Sequence, residues 1–459
     1  MPAHSHDTGP EPEATPEVTA RRRRAVRLML YVLVPVGLAT LVGLFVLWPS
    51  GSETAAQQAA DTFLPPGTTY PEATIASLEP YECAAATATV PAQTCATAVM
   101  VIGDGPSAGD YVQVDLSSDV VAEGVQVGDE LVLNRDPGTD GGEATYAFQD
   151  FPRGTPIITL ALVFTLVVGA VARLRGLLAL LGLGFAFAVL LQFMLPALLD
   201  GGSPLWVSLV GSSAIMFVVL YLAHGFSART TTALLGTLFG LAFSAVLGAV
   251  AVAAAHLTGF NSEEATTLLQ FDPTLDFSGL VVAATVVAGL GILNDVTITQ
   301  ASAVWQLHEA APQAGWRELF RRGMAIGRDH IASTIYTIVF AYAGAALPLL
   351  LLFELYQRPF WTTLTGSEVG EEVIRTLVGG IALVLAVPVT TLVGALVATA
   401  ATNAAPEPEP VPVPVRAAAE PGQAPRRPGA HPAGRRPAEP PRHRDEPGPG
   451  TTPRPRDPR

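Results

Sequence analysis

Eight apolar runs, each about as long as a bilayer is thick, constrain this chain more than any other feature. They lie near residues 28–48, 156–172, 176–199, 204–224, 231–257, 278–306, 330–354 and 375–401. A helix rises 1.5 Å per residue, so about 20 apolar residues cross a hydrocarbon core about 30 Å thick. In lipid every backbone polar group must be satisfied within the protein, and a helix does so along its own length. Charged residues make up only 14% of the chain, against about 25% in soluble domains, and the mean hydropathy is +0.40. The sequence predicts an α-helical polytopic membrane protein with about eight transmembrane helices.

The first run follows Arg21–Arg24 and Arg27. A signal peptide also starts basic, but its apolar core is about 7–15 residues long. The longer run predicts an uncleaved anchor over 28–48, behind a disordered cytoplasmic tail over 1–27. Residues 404–459 are rich in Pro and Arg and predict a second disordered cytoplasmic tail. All basic residues are Arg, the usage of a high-GC bacterial genome rather than a binding signal.

The formal charge of −14 equals that of one segment. Residues 49–155 hold two Arg and sixteen acids, whereas the core over 156–403 is −4 and the tails are +1 and +3. Within 49–155, β-rich runs recur at Thr94–Ile102, Tyr111–Leu116, Leu131–Asn134 and Thr145–Phe151, punctuated by Gly, Asp and Pro. That pattern predicts a small extracytoplasmic all-β domain, barrel-like or sandwich-like, between spans 1 and 2. The only two cysteines, Cys83 and Cys95, fall in it. Outside the membrane thiols oxidise, so a disulfide is expected, with two idle thiols as the alternative.

Arg placement sets the orientation. Arg173 and Arg175, then Arg229, then Arg317, Arg321, Arg322 and Arg328 fall in alternate loops, which are taken as cytoplasmic. Asp200, then Glu263, Glu264, Asp272 and Asp276, then Arg358 with Glu368, Glu371 and Glu372 fall outside. Both termini of this bacterial cell-membrane protein are therefore expected in the cytoplasm.

The sixth run carries the unusual chemistry. Ala288, Gly291, Asp295, Thr299, Ser302 and Gln306 recur at helical spacing and form one small, polar stripe, with Asn294 beside it. A carboxylate costs roughly 3 kcal/mol at a bilayer centre. The seventh run opens with Arg328, Asp329 and His330. Adjacent helices would bring Asp295, Arg328 and Asp329 to one depth near the inner end. One reading is an ion or proton site made by Asp295, Asp329, Arg328, Asn294, Thr299 and Ser302. The others are a structural ion pair between closely packed helices, or an Arg328 that merely marks a basic inner loop. Gly236 and Gly240 form a Gly-x-x-x-Gly suited to tight helix contact.

No P-loop, Gly-x-Gly-x-x-Gly, His-Glu-x-x-His or Gly-x-Ser-x-Gly is present, which weighs against an enzyme. The sequence points to no catalytic residue, cofactor or metal ligand. Asp150-Phe-Pro-Arg153, Gly225 to Gly236, Asn294-Asp295-Val296, Gly327-Arg328-Asp329, Glu371-Glu-Val-Ile-Arg375 and Pro388-Val-Thr390 follow one another in a characteristic order. In these pieces, from about Asp150 to Thr390, the chain resembles the YibE/F-like family of bacterial multi-pass membrane proteins. His330 stands where the family pattern has an apolar residue. The resemblance implies a membrane fold and no particular activity. The leading expectation is a transporter or permease-like protein with an ion-linked step. The rival is a scaffold or envelope sensor whose β domain binds a ligand. Expected partners are the lipid bilayer and a small solute or ion that the sequence leaves unidentified. A homo-oligomer stays open, and nucleic acid is not expected.

Overall fold

The computed structural model describes residues 16–51, 58, 67–86, 91–138, 143–260, 262–357 and 359–400. The expected disordered stretches 1–15 and 404–459, and Arg358, lie outside them.

Helix α1 runs from Pro16 to Val46. It starts well before the apolar run, so Arg21–Arg27 are helical rather than part of an unstructured tail. Arg favours helix, and Pro suits a first turn.

Five antiparallel strands follow: β1 (Glu72–Ala84), β2 (Gln93–Ile102), β3 (Tyr111–Leu116), β4 (Glu130–Asp136) and β5 (Thr145–Asp150). A short helix, α2 (Ser118–Ala122), joins β3 to β4. The strand order is β3-β2-β1-β4-β5, and β3 lies against β5, which curls the sheet toward closure. Strand order, helix position and closing edge are those of a five-stranded Greek-key barrel of the OB type. Alternation along β2 puts Ala96, Ala98, Met100 and Ile102 inside, where the core includes Ile75, Val114, Leu116, Leu131 and Leu133. Cys83 and Cys95 are joined by a disulfide, Cα–Cα 5.6 Å, at the end of the β1–β2 hairpin where β1 passes into β2.

The rest is helical: α3 (Gly154–Leu199), α4 (Pro204–His224), α5 (Ala228–Ala254), α6 (Glu263–Phe271), α7 (Phe277–Ala310), α8 (Trp316–Ala345), α9 (Leu347–Leu355), α10 (Phe360–Leu364) and α11 (Ser367–Ala400). Among the described residues six helices are long and apolar enough to cross a membrane, or seven if α8 and α9, bent by 65°, make one span. The expected eight exceed this because α3 is one element of 46 residues. It is not straight. Arg173 has φ 56° and ψ −143°. A Cβ on Gly169 would lie 3.4 Å from Leu177 Cδ2, and one on Gly176 would lie 2.7 Å from Val168 Cγ1. Eight residues of straight helix would separate such pairs by about 12 Å. The chain therefore turns sharply at Arg173, between the two runs read from sequence. Farther on, Leu190–Met194 forms a π turn just before Pro196. Pro offers no N–H and its ring crowds the carbonyl four residues back, which a wider turn relieves.

Helices α5, α7 and α11 form the centre of the bundle. Gly236 and Gly240 on α5 permit the close approach. A Cβ on Gly236 would strike the Thr390 side chain of α11, and one on Gly240 would come 2.6 Å from Leu293 of α7. Helix α4 packs on α7 from one side and α8 from another.

Candidate functional site

The polar stripe on α7 shares one face, and that face points out of the packed bundle. Gly291, Asp295, Thr299 and Gln306 are exposed, while Ala288 and Ser302 are half-buried. The Ser302 hydroxyl donates back to the Ile298 carbonyl at 2.7 Å. The opposite face carries Leu293, Val296, Thr297, Gln300, Ala301 and Val304, all buried.

That packed face holds polar contacts that sequence reasoning passed over. The Thr237 and Thr297 hydroxyls pair at 2.7 Å across α5 and α7. The Gln300 side chain is 1% exposed. Its amide donates to the Gly323 carbonyl of α8 at 2.9 Å and to the Thr391 hydroxyl of α11 at 2.7 Å. Gly323 and Gly327 make room for it, since a Cβ on Gly327 would sit 3.1 Å from Gln300 Oε1. These hydroxyls and amides tie helices together where lipid offers no partner.

Gln300 also fixes the relative height of α7 and α8. It stands level with the stretch between Gly323 and Gly327. Asp295 lies about 7.5 Å farther along α7, and Asp329 about 6 Å farther along α8 in the same direction. The two carboxylates therefore share a level, as do Asn294 and His330. Asp295, Arg328 and Asp329 are all exposed. Among the described residues no ion pair joins them. Asn294 Oδ1 and His330 Nε2, by contrast, are buried atoms with no hydrogen-bond partner among the described residues. In the sequence His330 stands out as a neighbour of Asp329 and as a departure from the family pattern, and it was not counted among the site residues.

A second charged group sits at the start of α11. Arg375 is held by Glu371 and by Glu372, each at 2.9 Å, with all three side chains partly buried. Tyr342 of α8 is within electrostatic reach of Glu372 and Arg375. Sequence reasoning placed the two glutamates in a loop. Their i, i+3 and i, i+4 spacing to Arg375 was the available signal.

Among the described residues no group of three or more His, Cys, Asp or Glu side chains is placed to hold a metal ion. In comparisons with known proteins, the family model described as YibE/F-like protein matches residues 160–400. No curated protein and no solved structure matches the chain.

Proposed function

The chain belongs to the YibE/F-like family, and from that premise we propose that it is a transporter or permease-like protein of the cell membrane. Its ion- or proton-linked site lies between α7 and α8 near their cytoplasmic ends. Asp295 and Asp329 draw a cation or proton to the site, and Arg328 tunes their affinity. Asn294, Thr299 and Ser302 add neutral oxygens, and His330 adds an imidazole. The observation that carries this is the pair of buried, unpartnered polar atoms, Asn294 Oδ1 and His330 Nε2, at one level on neighbouring helices. Burying such atoms unpaired costs about 1–3 kcal/mol each, a cost that a ligand passing between the helices removes.

The proposed topology has eight spans, with both tails inside and the β unit outside. Two contacts support it. The Ser50 N–H donates to Asp200 at 2.6 Å, so the ends of α1 and α3 meet on one side. His224 is within electrostatic reach of Arg175 and Arg229, which gathers two basic loops on the other. The test of the site is flux in reconstituted vesicles. Asp295→Asn should abolish flux while yield and thermal stability stay normal; normal flux from a well-folded variant would overturn the site.

One observation favours a sensor or scaffold instead. The β unit has the strand order of a barrel class that binds ligands across β2 and β3. Deleting residues 67–150 should then abolish function while Asp295→Asn changes little.

A further inference from the structure

A cavity of about 620 Å³ opens where the start of α4, the end of α5 and the start of α7 meet. Close contacts set its frame. A Cβ on Gly279 would come 2.9 Å from Pro204 Cγ, so α7 starts pressed against α4. Past α5 the chain turns back at His256, which has φ 52°. Leu257 is then buried in a cluster with Val252, Val281 and Val282. A Cβ on Gly259 would come 2.6 Å from the Phe277 carbonyl oxygen, and the Phe260 and Phe277 ring centroids are 4.7 Å apart. The turn after α5 is thereby held over the N-terminus of α7.

The lining is divided by polarity. His256, Thr258, Ser203 and Asp276 bring imidazole, hydroxyl and carboxylate groups to the rim, and Ala249, Val252 and Val282 form an apolar floor. Val282 lies about 9 Å along α7 from Asp276, which sets the depth. Asp276 Oδ1 accepts from the Gly279 N–H at 2.9 Å, and among the described residues nothing engages Oδ2. Neither Asp276 nor His256 enters an ion pair there. The lining holds no Arg, and the chain has no Lys.

These groups select a ligand by its head. A bare carboxylate would face Asp276 with no guanidinium to offset it. A bare ammonium would use Asp276 and leave the His256 N–H and the Thr258 hydroxyl without an acceptor once water is displaced. A head with both charges suits both sides of the rim. In an α-amino acid the two charges sit on one carbon and the side chain projects away from them, as the floor lies away from the rim. A volume of several hundred Å³ is usual for a small-molecule site.

We propose that this cavity binds an α-amino acid with a large apolar side chain. Its ammonium donates to Asp276 Oδ2, its carboxylate accepts from His256 and Thr258, and its side chain lies on Ala249, Val252 and Val282. The site is about 28 Å along α7 from Asp295, and binding there does not rest on the transport reading.

The experiment is isothermal titration calorimetry of the full chain in nanodiscs, with L-phenylalanine, phenethylamine and 3-phenylpropionate. Wild type should bind L-phenylalanine once per chain, and each analogue, which keeps the ring and one charge, about tenfold or more weakly. Asp276→Asn keeps a good N-cap for α7, and His256→Asn keeps a residue that tolerates positive φ. Each should weaken L-phenylalanine about tenfold or more, with the thermal midpoint of the unliganded chain unchanged. Ala249→Leu should abolish binding by filling the floor, and Ala253→Leu, which also lines the cavity, serves if that variant does not fold. Absence of binding by wild type would overturn the proposal. So would an analogue that binds as tightly as the amino acid, or a folded Asp276→Asn chain of undiminished affinity.

Discussion

Gln300 and Thr391 are 91 residues apart in sequence, yet the amide of one donates to the hydroxyl of the other at 2.7 Å. The same amide reaches the Gly323 carbonyl, so a single side chain couples α7, α8 and α11. Gln300→Leu keeps the bulk and removes the donors, so the Gly323 carbonyl and the Thr391 hydroxyl each lose one partner inside the bundle. The expected loss is about 0.5–1.5 kcal/mol for each of the two bonds. It should appear as a lower thermal midpoint in detergent, and an unchanged midpoint would show that the amide is not a tie.

Gly236 leaves no space for a side chain. A Cβ there would collide with the Thr390 hydroxyl and come 3.3 Å from Thr297 Cγ2. Gly236→Val should cut folded yield sharply, with a cost of about 1–3 kcal/mol or more from overpacking. Adding Thr390→Ala should recover part of the loss and not all, because Thr297 still crowds the site. Gly379→Ala serves as the control, since its Cβ meets nothing within 4 Å. Equal yields for Gly236→Val and Gly379→Ala would contradict the close packing of α5 and α11.

Asp150 closes the β unit ahead of α3. The Phe151 N–H first, and then the Arg153 side chain, hold its carboxyl below the usual carboxylate range. Its folded pKa is depressed, so its stabilising contribution is present above the ordinary value, about 3.9. It is lost as pH falls through the folded value. Arg153→Ala should raise the Asp150 pKa only part of the way, because the backbone donor remains. Carboxyl titration followed by NMR on the isotopically labelled chain checks this. Full return to the ordinary value would make Arg153 the larger cause.

Much of the fold was legible because lipid imposes a simple rule on length and polarity. The boundary near Arg173 could be read from Arg173 and Arg175 interrupting two apolar runs, and the chain turns there. Strands β2 to β5 were legible from branched and aromatic residues. Strand β1 was not, since Glu72–Ala84 is rich in Ala and Glu and contains Pro80, all poor strand formers. On α7 the period correctly grouped Asp295 with Thr299 and Ser302. Periodicity defines a face but not what it packs against. The buried face held Thr297 and Gln300, whose partners lie on three other helices.

The disulfide closes a short loop between Cys83 and Cys95, 12 residues apart. The chain-entropy estimate for such a loop is at most about 3 kcal/mol. Cys83→Ser with Cys95→Ser should therefore speed proteolysis of β1 and β2 while the thermal midpoint of the helical bundle stays put. Bundle destabilisation of similar size would mean that the β unit and the bundle unfold together.

The proposed side of the membrane for each loop rests on the placement of charge, and single cysteines can test it. In a chain lacking Cys83 and Cys95, Ser262 stands at the N-cap of α6, where its hydroxyl accepts from the Ala265 N–H and its side chain is exposed. Gln313 is exposed in the turn between α7 and α8. The 34 residues of α7 would lie between the two labels, about 51 Å if straight, well over a hydrocarbon core about 30 Å thick. The labels therefore cannot share a side if α7 crosses. With basic loops inside, an impermeant maleimide should modify Ser262→Cys in intact cells and Gln313→Cys only after permeabilisation. The reverse pattern would invert the whole topology and place the Asp295 level near the outer face. Labelling of both from outside would remove α7 from the set of spans, and the proposed ion site with it.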